Sequence, residues 1–172
     1  MLKIISTVIV CQLDRSLDLS FLLKNLEGAF PPKRGLSRIN FRLKPDNYHF
    51  AFYRSGKVLI TGVKSLDKIE TAGHYLISLL KKANINVEIS SIEIANIVCS
   101  NSLNYSISLE NLICHLNSNN ASYEPEQFPG LIYKKYGGTF LIFSNGKVIL
   151  TGFRDFKTAK TSFEKFKKVI ES

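Results

Sequence analysis

Few side chains in this chain of 172 residues are spaced for catalysis or metal binding. His49, His74 and His115 do not form ligand pairs, and Cys11, Cys99 and Cys114 include no CxxC. Neither a zinc site nor a disulfide framework is supported, so no metal or cofactor is expected. No Ser–His–Asp grouping or paired-carboxylate motif follows from the spacing, and no enzyme is expected. The turns Ser55-Gly56-Lys57 and Asn145-Gly146-Lys147 lack the upstream glycine and the following Ser or Thr of a phosphate loop. What remains is basic and aromatic chemistry. Lys and Arg number 23 against 14 Asp and Glu, a net charge of +9, and the pI is near 9.5. That balance favours a polyanion partner. The excess is uneven, net +7 over residues 1–92 and +2 over residues 93–172.

Composition narrows the class further. With 45% apolar and 22% charged residues the chain is globular, not a disordered tail. It has no run of 18 or more apolar residues, so no membrane span is expected. The opening MLKIISTVIVCQLDRS reads as a strand, not a signal peptide. An intracellular, reducing compartment is expected.

The elements that must position the basic and aromatic residues occur twice. SGKVLITG (55–62) and NGKVILTG (145–152) lie 90 residues apart, and KIISTV (3–8) faces NIVCSN (96–101) at an offset of 93. The stretch 29–43 faces 121–135. Two related units, 1–92 and 93–172, are expected from a duplication; a solenoid needs three or more shorter repeats. Each unit opens with a strand, Ile4 to Val10 or Ile94 to Cys99. A short helix follows, entered at Asp18 or Ser20 in one unit and at Ser108 in the other. Strands joined by tight turns come next, among them a hairpin at Gly137–Gly138. A longer helix closes each unit, from Ser65 to Ala83 and from Asp155 to Ile170, with one apolar stripe apiece. Strand runs flanked by helices predict an α+β fold with an antiparallel sheet. Residues 87–100 hold no breaker, so one continuous sheet through both units is expected.

SYEPEQFPGLIY (122–133) followed by LIFSNGKVILTG (141–152) resembles the conserved core of the TATA-box-binding protein family. PPKRGLSRINFRL and AFYRSGKVLITG are weaker counterparts in the first half, and the resemblance covers roughly residues 3–170. It implies a saddle-shaped, pseudo-twofold duplication: a curved antiparallel sheet of ten strands, with four helices on the convex face. The concave face would meet the DNA minor groove.

The resemblance also implies residue roles. The apolar wedges that enter between base pairs fall on Phe128 and Phe143 in the second half, and on Leu36 and Tyr53 in the first. Such side chains enter unstacked steps without leaving a polar group unpaired. The minor-groove asparagine falls on Asn96, with Lys3 at the first-half position; Thr61 and Thr151 match groove threonines. Ile5, Val98, Leu59, Ile149 and Leu141 match the apolar floor. Arg42 with Lys134, Lys57 with Lys147, and Lys64 with Arg154 match phosphate contacts. Glu124 and Glu126 match the acidic stirrup that meets the B-type general initiation factor.

The implied function is transcription initiation. The protein would bind and kink A·T-rich TATA promoter duplex, then recruit the B-type factor and RNA polymerase. The alternative is a divergent paralogue serving mainly as a protein-interaction platform. Localisation would be the archaeal cytoplasm and nucleoid, or the nucleus of a eukaryote. Taken singly, these residues have ordinary readings: Phe143 and Tyr53 as cross-strand packing, Lys57 and Lys147 as solubilising turn lysines, and Glu124 and Glu126 as loop charges. Their joint placement at matching offsets carries the functional reading.

Overall fold

The computed structural model describes residues 1–116 and 119–171. Among them the order is β1 (Lys3–Leu13), α1 (Leu19–Asn25), β2 (Ile39–Leu43), β3 (Tyr48–Phe52), β4 (Lys57–Val63), α2 (Ile69–Lys82), β5 (Ile89–Ser102), α3 (Leu109–His115), β6 (Ala121–Ser122), β7 (Leu131–Lys135), β8 (Gly138–Ile142), β9 (Lys147–Phe153) and α4 (Phe156–Ile170). The residues cluster into two compact units, a first of 6–95 and a second of 1–5 with 96–171. The long strands β1 and β5 each run from one unit into the other, because no breaker interrupts them.

In the first unit β4 pairs antiparallel with β1 and β3, and β3 with β2. The strand residues alternate, so one set faces the helices. Ile9, Cys11, Ile39, Phe50, Phe52, Val58 and Ile60 are buried there with Leu19 and Leu22 of α1 and Leu76 and Leu80 of α2. The second unit repeats the arrangement, with β9 between β5 and β8 and β7 between β8 and β6. Its core is richer in rings: Phe140 stacks on Phe166 of α4 at 4.8 Å, and Tyr133 lies 6.2 Å from Phe166. A buried phenylalanine contributes roughly 1.5–3 kcal/mol, so this cluster anchors α4.

Local chemistry explains the ends. Asp18 accepts from the Ser20 and Phe21 amides and caps α1; Ser108 caps α3 and Asp155 caps α4. Ser65 makes no side-chain cap. The helix expected from that residue begins instead as a 3-10 turn, Leu66–Lys68, and becomes α-helical only at Ile69. The hairpin expected at Gly137–Gly138 turns one residue earlier, through Tyr136 (φ 57°) and Gly137 (φ 82°). Gly138 already belongs to β8, and a Cβ there would run into the Phe153 ring.

Nine strands form among the described residues, where ten were expected. In the second unit the edge is β6, paired through Ala121 and Ser122. The corresponding place in the first unit holds a lone bridge between Phe30 and Asn40. Pro31 and Pro32 follow at once, and proline cannot donate to a ladder, so no strand extends from Phe30.

Each unit carries a bulge at the same place. Between Thr7↔Val63 and Ile9↔Ile60, β4 fits two residues opposite one of β1; β9 does the same between Ile97↔Phe153 and Cys99↔Leu150. The extra residue is glycine both times, Gly62 (φ 89°) and Gly152 (φ 95°), as the left-handed backbone requires.

These registers align the two units residue by residue and expose one polar misfit. Thr7 is fully buried and its hydroxyl has no hydrogen-bond partner, whereas Ile97 fills the equivalent site. Thr7→Val keeps the branched shape and removes the orphan group, so it is expected to raise stability by about 1 kcal/mol, read as a higher urea midpoint.

Candidate nucleic-acid interface

In each unit the helices cover one face of the strands, and the alternate residues form a helix-free face. Across the first unit this face carries Val10 beside Leu59, Leu59 beside Ala51, Thr61 beside His49, and His49 beside Arg42. Across the second it carries Ser100 beside Ile149, Ile149 beside Leu141, Thr151 beside Thr139, and Thr139 beside Lys134. Leu59, Thr61, Val98, Leu141, Ile149 and Thr151 are half-buried there. The result is an apolar strip on each unit with basic residues at its margins.

The wedge candidates close one end of each strip. Phe128 and Phe143 pack edge to face with ring centroids 5.8 Å apart. Gly130 makes room for both, since a Cβ would stand 2.8 Å from Phe128 Cε1 and 3.1 Å from Phe143 Cε1. The Glu124 carbonyl accepts from the Gln127 and Phe128 amides, each at 2.9 Å, so the loop carrying exposed Glu124 and Glu126 also holds Phe128. In the first unit Leu36 and Tyr53 are half-buried, with Leu36 packed on the core. Pro32 and Arg34 stand where the register places Glu124 and Glu126, so the acidic character belongs to the second unit alone.

Asn96 is held firmly. Its side-chain NH2 donates to Thr151 Oγ1 at 2.9 Å, and its carbonyl accepts the Gly152 amide of the bulge at 2.8 Å. Register changes its expected partner. Thr7 matches Ile97 and Cys11 matches Asn101, an offset of 90 throughout, so Ser6 and not Lys3 is equivalent to Asn96. Likewise Val8, not Ile5, is equivalent to Val98. The offset of 93 arose because apolar KIISTV matches NIVCSN equally well in composition, and only pairing tells which side chains share a face. Lys3 and Ile5 fall in the second unit, both exposed.

Arg42, Lys57, Lys64, Lys134, Lys147 and Arg154 are all exposed at the strip margins and strand ends. Sequence reasoning missed Val8, Val10, Ala51, Ser100, Thr139 and, most consequentially, Asn40 and His49. Asn40 is 4% exposed, its side-chain carbonyl has no partner, and its equivalent is Ile132. Burial lowers the pKa of His49, and the Arg42 and Arg38 charges lower it further. Two-residue alternation outward from Leu59 would have found most of these once the register was known.

Burial raises the Cys11 and Cys99 thiols to about 11, which leaves them unreactive. Among the described residues no group of His, Cys, Asp and Glu could hold a metal, and no helix is long and apolar enough to cross a membrane.

The family described as "Transcription factor TFIID (or TATA-binding protein, TBP)" matches residues 1–83 and again 91–172. The chain belongs to the TATA-box-binding protein family. It is 34% identical to the TATA-box-binding protein of Picrophilus torridus over 92% of this chain and 88% of that one. Identity to TATA-box-binding protein C of Halobacterium salinarum is 31%, covering 82% and 87% respectively. The solved structure of Methanococcus jannaschii TBP matches with a TM-score of 0.83 at 31% identity, over 99% of this chain and 98% of that one. The family is one of transcription factors, not of enzymes.

Within the TATA-box-binding protein fold, two features of this member can be tested in the free protein. Because folding lowers the His49 pKa, the unfolded chain takes up its proton first as pH falls. Stability from this group is therefore present above the ordinary imidazole value and lost on acidification below it. His49→Thr, which copies Thr139, should flatten that part of a urea-midpoint profile between about pH 7.5 and pH 5. Gly130→Ala should cost about 1–3 kcal/mol by overpacking the Phe128–Phe143 pair, and should shift the resonances of both rings.

Proposed function

We propose that the protein is a general initiation factor that binds A·T-rich promoter duplex through its helix-free faces. Both faces would act on one duplex, as a saddle over the minor groove. The observation that carries this is the Phe128–Phe143 ring pair beside Gly130, at the end of an apolar strip flanked by Lys134 and Lys147. An aromatic pair half-open to solvent is suited to entering a base step. For minor-groove proteins that insert apolar wedges, this family among them, unstacking costs a few kcal/mol per step and is offset by the wider contact that bending allows.

The roles divide by chemistry. Phe128 and Phe143 act as wedges at one end, and Leu36 and Tyr53 at the other. The apolar floor is Leu59, Ile149, Leu141 and Val98, with Val8 and Val10 added by the register. Such a floor suits an A·T groove, which lacks the guanine amino group. Thr61, Thr151 and Asn96 supply donors to the N3 and O2 acceptors, and the Asn96 bonds to Thr151 and Gly152 pre-set its amide. Arg42, Lys57, Lys64, Lys134, Lys147 and Arg154 meet phosphates, which fixes position and gives salt-dependent affinity. The Glu124–Glu126 loop then receives the B-type factor, and RNA polymerase follows.

A second reading rests on the first unit, where Ser6 replaces the groove asparagine and Tyr53 a phenylalanine wedge. There the protein is a family paralogue working chiefly as an interaction platform. Binding and bending of a doubly dye-labelled TATA duplex, compared with a G·C-rich duplex, separates the two. A TATA preference with a shortened dye-to-dye distance supports the initiation factor; equal binding without bending supports the platform. On the first reading, Phe128→Ala or Phe143→Ala should weaken TATA binding by about tenfold or more, from the lost burial of a ring. Tyr53→Ala should cost less, and equal losses from all three would remove the division between the ends.

A further inference from the structure

The register that moves Lys3 away from the groove-asparagine position leaves its role open. Lys3 lines an open cavity of about 460 Å³ in the second unit with Lys147, Ser100, Asn101, Asn104 and Asn145, and no carboxylate lines it. Among the described residues neither lysine has a salt-bridge partner. Two like charges on one concave surface repel in the free protein, and an anion between them relieves the repulsion. Apart from Met1, the remaining lining groups are the Ser100 and Ser102 hydroxyls and the three asparagine amides, which donate well to phosphate oxygens. The walls are set before any ligand arrives. The Leu103 amide donates to the Gly146 carbonyl at 3.0 Å, and the Ile107 amide to the Ser144 carbonyl at 2.8 Å. The Asn145 carbonyl accepts the Lys147 amide at 3.0 Å, which leaves its NH2 free to donate outward.

The first unit builds the same backbone frame and fills it differently. Leu13 donates to the Gly56 carbonyl and Leu17 to the Arg54 carbonyl, reproducing both wall bonds. At the equivalent positions, however, Glu93 stands for Lys3, Val10 for Ser100, Cys11 for Asn101, Asp14 for Asn104 and Ser55 for Asn145. Lys57 keeps the charge of its counterpart, Lys147, and Ser55 keeps a hydrogen-bonding group in place of Asn145. A frame common to both units therefore carries an anion-binding lining in one and a carboxylate-bearing, more apolar lining in the other.

We infer that Lys3 and Lys147, with the Asn101, Asn104 and Asn145 amides, form a phosphate pocket that grips a backbone phosphodiester of the bound duplex. This rests on the proposed DNA binding and goes beyond it. It makes Lys3 a phosphate ligand and not a groove donor, and it gives the second unit a grip that the first lacks.

The test is a salt series of equilibrium binding to the TATA and G·C-rich duplexes, using the full chain and the variants Lys3→Gln, Lys3→Glu and Lys160→Ala. Each phosphate contact contributes about 0.9 to the slope of log affinity against log salt. Lys3→Gln is expected to lower that slope by about 0.9 on both duplexes and to leave their affinity ratio unchanged. Lys3→Glu should weaken binding further, and Lys160→Ala, on α4, should match the unaltered protein. An unchanged slope for Lys3→Gln in a protein that still binds and bends TATA duplex would overturn the pocket while leaving the functional reading intact. An altered TATA to G·C ratio at unchanged slope would return Lys3 to the groove and equally overturn it. Failure of the unaltered protein to bind either duplex would instead overturn the functional reading on which the pocket rests.

Discussion

Everything functional in this molecule depends on the two-residue period of its strands under a pair of helices. Ile9, Cys11, Val58 and Ile60 are committed to the helix side by burial, and this commits Val8, Val10, Leu59 and Thr61 to the other. Slipping one strand by a single residue would send polar groups into the core and the apolar strip to the wrong side. The bulges at Gly62 and Gly152 absorb one extra residue each without disturbing that commitment. Asn96 accepts the bulge amide of Gly152, so this side chain satisfies a backbone donor that the ladder leaves unpaired.

The duplication then permits divergence on a shared frame. The same turns recur, with Gly56 against Arg15 and Gly146 against Tyr105, where a Cβ could not fit. The same wall bonds and bulges recur as well. On that frame the second unit carries the Phe128–Phe143 ring pair, Asn96, an acidic loop and a basic, amide-lined cavity. The first has Leu36, Tyr53, Ser6, Pro32 with Arg34, and Glu93 with Asp14 in their places. The higher net charge of the first half is thus spread over loops and margins, whereas the carboxylate-free cavity lies in the second unit, with Lys3 of the first half among its lining residues.

Buried polar groups follow the same division. Thr7 and Asn40, each with a side-chain atom lacking a partner, lie in the first unit where the second has Ile97 and Ile132. Such groups usually cost stability, so the first unit carries a load that its duplicate does not. Asn40 sits on the helix-free side, in the row of Ala51 and Leu59.

Much of this was legible in the chain alone. The repeat, the cap residues Asp18, Ser108 and Asp155, and the glycines of the two Gly-Lys turns follow from local rules acting on a few neighbouring residues. Phe128 and Phe143 stand in a motif dense enough, EQFPG followed by LIFSNGK, to single them out as wedge candidates. Strand register was not legible, because apolar runs such as KIISTV satisfy several alignments equally, and only hydrogen-bonded pairing across some fifty residues of chain chooses one. That choice made Ser6 and not Lys3 the equivalent of Asn96, and brought Lys3 into one cavity with Lys147. Residue type and local spacing thus determined the elements and the chemistry available. Tertiary pairing decided which of those side chains share a surface, because facing is set by register, and register by contacts distant in sequence.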